Sequence, residues 1–228
     1  MYNYEQFTPN SYDFTTQTGI KIGDRLPELT LQNVEGVPIQ LSSYLGKILV
    51  LETGSLTCPL YVGKIKKMAL VAKKYPHVEF LLIYIREAHP GRKINAHGTS
   101  KSKLRNANRL QQDEPENRSV LVDDLQGTLH AALGLLPNMA FVIGTDGAVL
   151  YRADWNIPDR IEEVLDAIEK GLPLLAAPAD FTPVAPIYSL RVLARAGGMR
   201  AIWDFLTHLP RLIKQHKAHW KSRNGTGK

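Results

Sequence analysis

The chain has 228 residues, 44% hydrophobic and 22% charged, with a net charge of +6 and one cysteine. This is ordinary for a soluble globular protein, long enough for one large domain or for a typical domain with an extension. A single cysteine excludes an intrachain disulfide, a zinc–cysteine cluster and a two-cysteine redox relay, and it suits a reducing compartment.

The opening stretch, MYNYEQFTPNSYDF, has neither the basic n-region nor the apolar h-region of a signal peptide. No apolar run reaches the roughly 18 residues that cross a bilayer. The chain is therefore read as cytoplasmic. Residues 1–20 carry little hydrophobic pattern and are expected to form an irregular arm. Leu29-Thr30-Leu31 and Pro38-Ile39-Gln40-Leu41 alternate around Glu35-Gly36, which predicts a hairpin. Ile48 to Leu51 and Phe80 to Ile85 are continuous apolar runs, as in strands buried on both faces. Between them Ile65, Met68, Ala69, Val71 and Ala72 recur at near-helical spacing. The result is a βαβ unit with Cys58 at the carboxyl edge of its first strand, where open α/β sheets place ligands.

Further on, Lys101 to Gln112 predicts a helix, Val120 to Val122 a short strand and Gln126 to Leu133 a short helix. Met139 to Ile143 and Ala148 to Tyr151 flank Asp146-Gly147, a strong hairpin signal. Pro158 to Glu169 predicts a helix with Ile161, Val164, Leu165 and Ile168 on one face and Gly171 just past its end. This order describes an α/β, thioredoxin-like (peroxiredoxin-like) fold: a central mixed sheet flanked by helices, with a helical C-terminal extension. Residues 21–171 are assigned to the redox domain, 172–188 to a Pro/Ala-rich linker and 189–228 to a basic amphipathic extension. Pro137 stands where that fold commonly keeps a cis-proline beside its active site, and it is read as cis and substrate-contacting.

Between Ser189 and Lys228 nine Lys/Arg face one acid, Asp204, a net +8 that leaves −2 for the remainder. The basic balance belongs to the tail and gives no argument for nucleic-acid binding. Ile202, Phe205, Leu206, Leu209, Leu212 and Ile213 recur at helical spacing, and Pro210 is expected to kink or divide that helix. The stripe is expected to pack on the core or in a homodimer interface; peripheral contact with an anionic membrane is the alternative. His216 and His219 have no further ligands nearby, so no metal site is expected.

Cys58 lies where the strand ends and a helix opens with Thr57-Cys58-Pro59. A helix N-terminus presents free N–H groups and the positive end of its dipole, which lowers a thiol pKa. Pro59 suits the first helical turn. A lone cysteine is more often a buried structural residue; the strand–turn–helix setting favours a reactive one. The loop after the next strand leaves from the same edge, which allows Glu87 and His89 to approach Cys58.

Gly54-Ser55-Leu56-Thr57-Cys58-Pro59 followed by Tyr84-Ile85-Arg86-Glu87-Ala88-His89-Pro90 resembles the iodothyronine deiodinase family, from about Gly23 to Ile168. Asp123-Asp124 and Leu-Pro-Asn before the hairpin look like its bacterial redoxin-type members. The resemblance implies a thioredoxin-fold reductase that removes iodine from a phenolic ring with a thiol as reductant. Cys58 takes the selenocysteine position, Glu87 and His89 match the family's acid–histidine pair, and Ser55 matches its serine. The chain departs at Arg86, where an acid is common, and at Gly91-Arg92-Lys93.

In that chemistry Cys58 attacks a soft electrophilic atom, His89 protonates the leaving group, and Glu87 fixes the His89 tautomer. Ser55 and Thr57 are placed to hydrogen-bond the sulfur or an incoming polar group, or to serve as turn and cap residues. No bound cofactor is required beyond an external thiol: a dithiol, glutathione or thioredoxin. Two other readings stay open. A one-cysteine thiol peroxidase would use Ser55 beside Cys58 and pass through a sulfenic acid. A redox-inactive thioredoxin-like binding module would leave Cys58 unreactive.

Overall fold

The computed structural model describes residues 2–14, 16–174, 176–177 and 182–224, and all side chains among these except 216 and 219–224. His216 and His219, and parts of the proposed linker at 175 and 178–181, therefore lie outside the described residues. Among the described residues seven strands form one sheet: β1 (Thr30–Asn33), β2 (Pro38–Gln40), β3 (Leu49–Gly54), β4 (Glu79–Tyr84), β5 (Ser119–Val122), β6 (Ala140–Ile143) and β7 (Val149–Ala153). Their spatial order is β2-β1-β5-β4-β3-β6-β7. The central strands β3, β4 and β5 run parallel, and both edges are antiparallel hairpins. The turn between β1 and β2 is made by Gly36 at φ +85°, a left-handed conformation that costs glycine little.

The helices are α1 (Pro59–Val62), α2 (Ile65–Lys74), α3 (Ser100–Asp113), α4 (Thr128–Leu133), α5 (Pro158–Glu169), α6 (Pro186–Gly197) and α7 (Met199–Asn224). The predicted helix after Cys58 is broken: α1 is a single turn, and the chain restarts at Ile65 after Gly63 and Lys64. β3 is buried along its whole length, with Leu49, Val50 and Leu51 at most 1% exposed. Burying each such side chain contributes about 1.5–3 kcal/mol, so the strand that ends at Gly54 is a fixed platform.

That platform carries an ionic network. Glu52 on β3 pairs with Arg118 at 2.6 Å and accepts a hydrogen bond from Asn138 Nδ2 at 2.7 Å. Arg118 also pairs with Glu116, and Glu116 accepts from the Tyr61 hydroxyl at 2.6 Å. Every charge is therefore met by a partner, as buried charges require.

Three expectations are corrected. Pro137 is trans; the chain turns before it through Gly134 at φ +130° and Leu135 at φ +66°. Pro210 does not divide α7, which runs from Met199 to Asn224 through it; the break falls at Gly198 (φ +71°), where helix-forming backbone ends. The N-terminal arm is irregular apart from a 3₁₀ turn at Pro9–Ser11, but it is not a polar appendage, because Tyr12 and Phe14 are core residues.

Arg86 fastens that arm. Its guanidinium stands 4.8–5.1 Å from the ring centres of Tyr2, Tyr4 and Tyr12, and donates to Tyr2 O at 2.7 Å and Ser11 O at 3.1 Å. The Tyr4 hydroxyl donates to Ala88 O at 2.8 Å. Met1 and Thr15 of the arm lie outside the described residues.

Candidate active site

The site is built where β3 and β4 end side by side. Gly54 ends β3 against Tyr84 of β4. A Cβ at Gly54 would lie 2.5 Å from the Tyr61 ring, so α1 can fold back over the strand end only because this residue has no side chain. The turn then closes with Cys58 N–H donating to Ser55 O at 3.1 Å.

Glu87 is the centre of the polar contacts. One carboxylate oxygen, Oε2, accepts from Thr57 N–H at 3.1 Å and from the Thr57 hydroxyl at 2.6 Å. The other, Oε1, accepts from the Tyr84 hydroxyl and from Asn106 Nδ2 at 3.1 Å. His97 Nε2 lies 3.5 Å from the same oxygen. The Thr57 hydroxyl also accepts His89 N–H at 3.1 Å, and Ser55 Oγ accepts Ala88 N–H at 3.2 Å.

These contacts change the expected division of labour. Glu87 does not hold the His89 ring; its oxygens are occupied by Thr57, Tyr84, Asn106 and His97. β4 stops at Tyr84, so strand alternation does not carry Glu87 and His89 to one side. Ser55 and Thr57 turn their hydroxyls to the 87–89 loop instead of to the sulfur, and lock it against the Cys58 turn.

Cys58 is 2% exposed, and its thiol pKa is pushed up to about 11. Burial is the largest cause, and it outweighs the lowering by the N–H groups of Tyr61 and Leu60 and by the Lys64 ammonium. The expectation of a thiol acidified by a helix terminus is thus reversed. α1 has four residues and a correspondingly short dipole, while desolvation acts on the whole thiolate charge. Lys64 is itself buried, which lowers its pKa to about 8, and it donates to Asn156 O.

His89 is half-buried, with its ring centre 4.2 Å from that of Phe7 and 5.5 Å from that of Phe205. Burial alone lowers its pKa to about 4, so it is neutral at neutral pH. Cys58 and His89 line the same chamber of about 470 Å³, whose wall is largely apolar. Pro137 and Trp155 contribute from the sheet side, Phe7 and Phe14 from the arm, and Leu193 and Phe205 from α6 and α7. A second cavity of about 580 Å³, lined by Arg92, Arg200 and Asp204, meets the other side of the His89, Phe7 and Phe205 wall.

The C-terminal helices therefore close the site. Arg195 of α6 donates to Leu56 O at 2.7 Å, two residues before Cys58, and pairs with the buried Glu114 at 2.6 Å. Arg191 meets the same carboxylate at 2.7 Å. At the end of α6, Ala196 O accepts from Lys93 N–H and Ile94 N–H. A Cβ at Gly91 would lie 2.6 Å from Ala196 O, so the Gly91-Arg92-Lys93 segment is what admits α6 to this position. The apolar stripe of the tail packs inward through Phe205 and Leu212.

Sequence reasoning missed Tyr84, Asn106, His97 and Lys64, and it missed the arm. The arm left one signal, the density of aromatics in MYNYEQFTPNSYDF. Asn106 and His97 left none, because they reach Glu87 from a helix and a loop with no spacing in common.

The sequence profile described as iodothyronine deiodinase matches residues 10–171. A thyroxine 5-deiodinase of Aquarana catesbeiana is 32% identical over 114 residues, covering 46% of this chain and 42% of that protein. A thyroxine 5-deiodinase of Sus scrofa is 31% identical over 114 residues, covering 46% of this chain and 37% of that protein. The chain thus spans about two fifths of the length of these curated relatives. Among solved structures, a protein assigned as the thiol:disulfide interchange protein DsbE of Chlorobium tepidum superposes with a TM-score of 0.52 at 17% identity, over 67% of this chain and 98% of that one. A thiol peroxidase from Chromobacterium violaceum superposes with a TM-score of 0.50 at 17% identity, over 69% of this chain and 93% of that one. At these identities the likeness is one of fold.

Proposed function

The chain belongs to the iodothyronine deiodinase family, and from that premise we propose that it is a thiol-dependent oxidoreductase that removes iodine from iodinated phenolic compounds through Cys58. The observation that carries the reading is the chamber. Its lining is largely apolar, it is within the roughly 300–1,000 Å³ of small-molecule sites, and both Cys58 and His89 belong to that lining.

The chemistry fits a site that suppresses charge. Cys58 sulfur attacks iodine; the S–H and C–I bonds break while S–I and C–H form. The ring carbon gains the electron pair of the C–I bond and the proton that began on sulfur. No net charge appears, so a thiol held up to about 11 and an imidazole held down to about 4 suit the step as a neutral pair. His89 shuttles the proton between sulfur and carbon. Glu87 and Thr57 act as positioning residues, since both hold the loop that carries His89. An external thiol then attacks the sulfenyl iodide, releasing iodide and a proton and leaving a mixed disulfide. A second thiol equivalent frees Cys58 and departs in a disulfide with the first.

The near-complete burial of Cys58 and the largely apolar lining also fit a second reading, a binding module for apolar ligands without redox chemistry. A thiol peroxidase is less well supported, because the wall is largely apolar. The deciding assay is iodide release from thyroxine with excess dithiothreitol, run beside Cys58→Ser. Release that disappears in the variant supports the deiodinase reading. No release from folded, reduced wild type sinks thyroxine as substrate. Peroxide consumption in its place would select the peroxidase, and thyroxine binding without any turnover would select the module.

A further inference from the structure

The inner face of α7 closes the chamber, but α7 carries a second apolar face. Met199, Trp203, Leu206, Pro210 and Ile213 follow one another at three- and four-residue steps, so they share one side of the helix. All are exposed, Met199 at 78% and Trp203 at 69%. Leu190 of α6 is exposed as well, at 45%. Leu190, Leu206 and Ile213 are at once exposed and part of the chamber wall, so this patch is also the chamber's rim.

Charge identifies what fits the face. Arg200, Lys214 and Lys217 are exposed on α7, and none is ion-paired among the described residues. Asp204 is the one acid of the helix. Two copies meeting through this face would bring the same cations together, which disfavours a self-pair. An anionic lipid surface offers both complements: phosphate and carboxylate for the cations, and an interfacial apolar layer for the stripe. Trp203 is the residue type that settles at such an interface, its ring apolar and its N–H able to meet polar groups. No helix among the described residues is long and apolar enough to cross a membrane, so the contact is a peripheral one.

We propose that the outer face of α7, with Leu190 of α6, docks on an anionic membrane surface and turns the chamber rim toward the lipid. Apolar ligands would then pass between bilayer and chamber without crossing water; this corollary, unlike the docking, rests on the proposed function.

The test is co-sedimentation of the full chain with phosphatidylcholine vesicles containing phosphatidylserine, and with phosphatidylcholine alone. The expected result is binding to the anionic vesicles only, weakened by salt. Trp203→Glu should abolish it, and each of Lys214→Glu and Lys217→Glu should weaken it about fivefold or more. These side chains are exposed, so circular dichroism should be unchanged. Cys58→Ser should bind like wild type, which separates docking from any failure of the proposed chemistry. Absence of binding, equal binding to neutral vesicles, or binding indifferent to Trp203→Glu would overturn the proposal. So would a dimer in sedimentation that Trp203→Glu dissociates in a chain that ignores vesicles.

Discussion

Thr57 and Glu87 are joined twice: the amide and the hydroxyl of Thr57 both donate to one oxygen of the Glu87 carboxylate, at 3.1 and 2.6 Å. The threonine beside the cysteine thereby anchors the loop that brings His89 to the chamber. Thr57→Val keeps the shape and removes the hydroxyl. One acceptor position on a buried carboxylate and one amide, His89 N–H, lose their partner. The cost should be about 1–3 kcal/mol in urea unfolding; on the proposed function, iodide release should also fall, through a lower kcat. A variant as stable and active as wild type would show that the contact positions nothing.

The thiol of Cys58 should behave as a weak acid. With its pKa pushed up to about 11, alkylation by iodoacetamide should be slow at neutral pH and rise about tenfold per pH unit toward that value. The measurement is the alkylation rate of the native chain, read by mass spectrometry. A midpoint below that of an ordinary cysteine would contradict burial as the dominant influence.

Acid should destabilise the fold through its buried histidines. Burial lowers the pKa of His89 to about 4 and that of His130 to about 3, and it lowers His97 as well. Unfolded histidine takes up its proton near pH 6.5. Below that value the unfolded chain binds more protons than the folded one, so stability is full above it and falls with acid until the folded pKa is reached. Each histidine contributes a slope of about 1.4 kcal/mol per pH unit in that window. His89→Phe, in a pocket already formed by Phe7 and Phe205, should flatten the slope between pH 6 and pH 4 by about one proton. An unchanged slope in chemical denaturation would refute the assignment.

Arg86 should control access through the arm. Arg86→Ala removes three cation–π contacts, each contributing about 0.5–2 kcal/mol, and two hydrogen bonds to arm carbonyls. Chymotrypsin should then cleave within residues 2–14 at a rate on the order of tenfold or more above wild type. Alkylation of Cys58 should accelerate in parallel, because Phe7, Tyr12 and Phe14 cover the chamber. An arm that stays protected would place its anchoring elsewhere.

Much of the fold was legible because it depends on near neighbours in the chain. The apolar runs of β3 and β4, the Gly36 and Asp146-Gly147 turns and the one-sided α5 all appear in the structure where two- and four-residue patterns put them. The Cys58 and Glu87–His89 motifs also meet at one sheet edge, because parallel β3 and β4 must end together.

Side-chain partners were not legible, since they depend on what packs from far along the chain. Glu87 turned from His89 to Asn106 and His97 once α3 and its preceding loop covered it. By itself the sequence determined the sheet, the place of Cys58 at its carboxyl edge and the two-faced tail. Tertiary structure alone decided that the arm and tail would close over that edge. Closure reversed the sign of the Cys58 shift, because desolvation is set by everything that excludes water, whereas a helix terminus acts only through its own first turn.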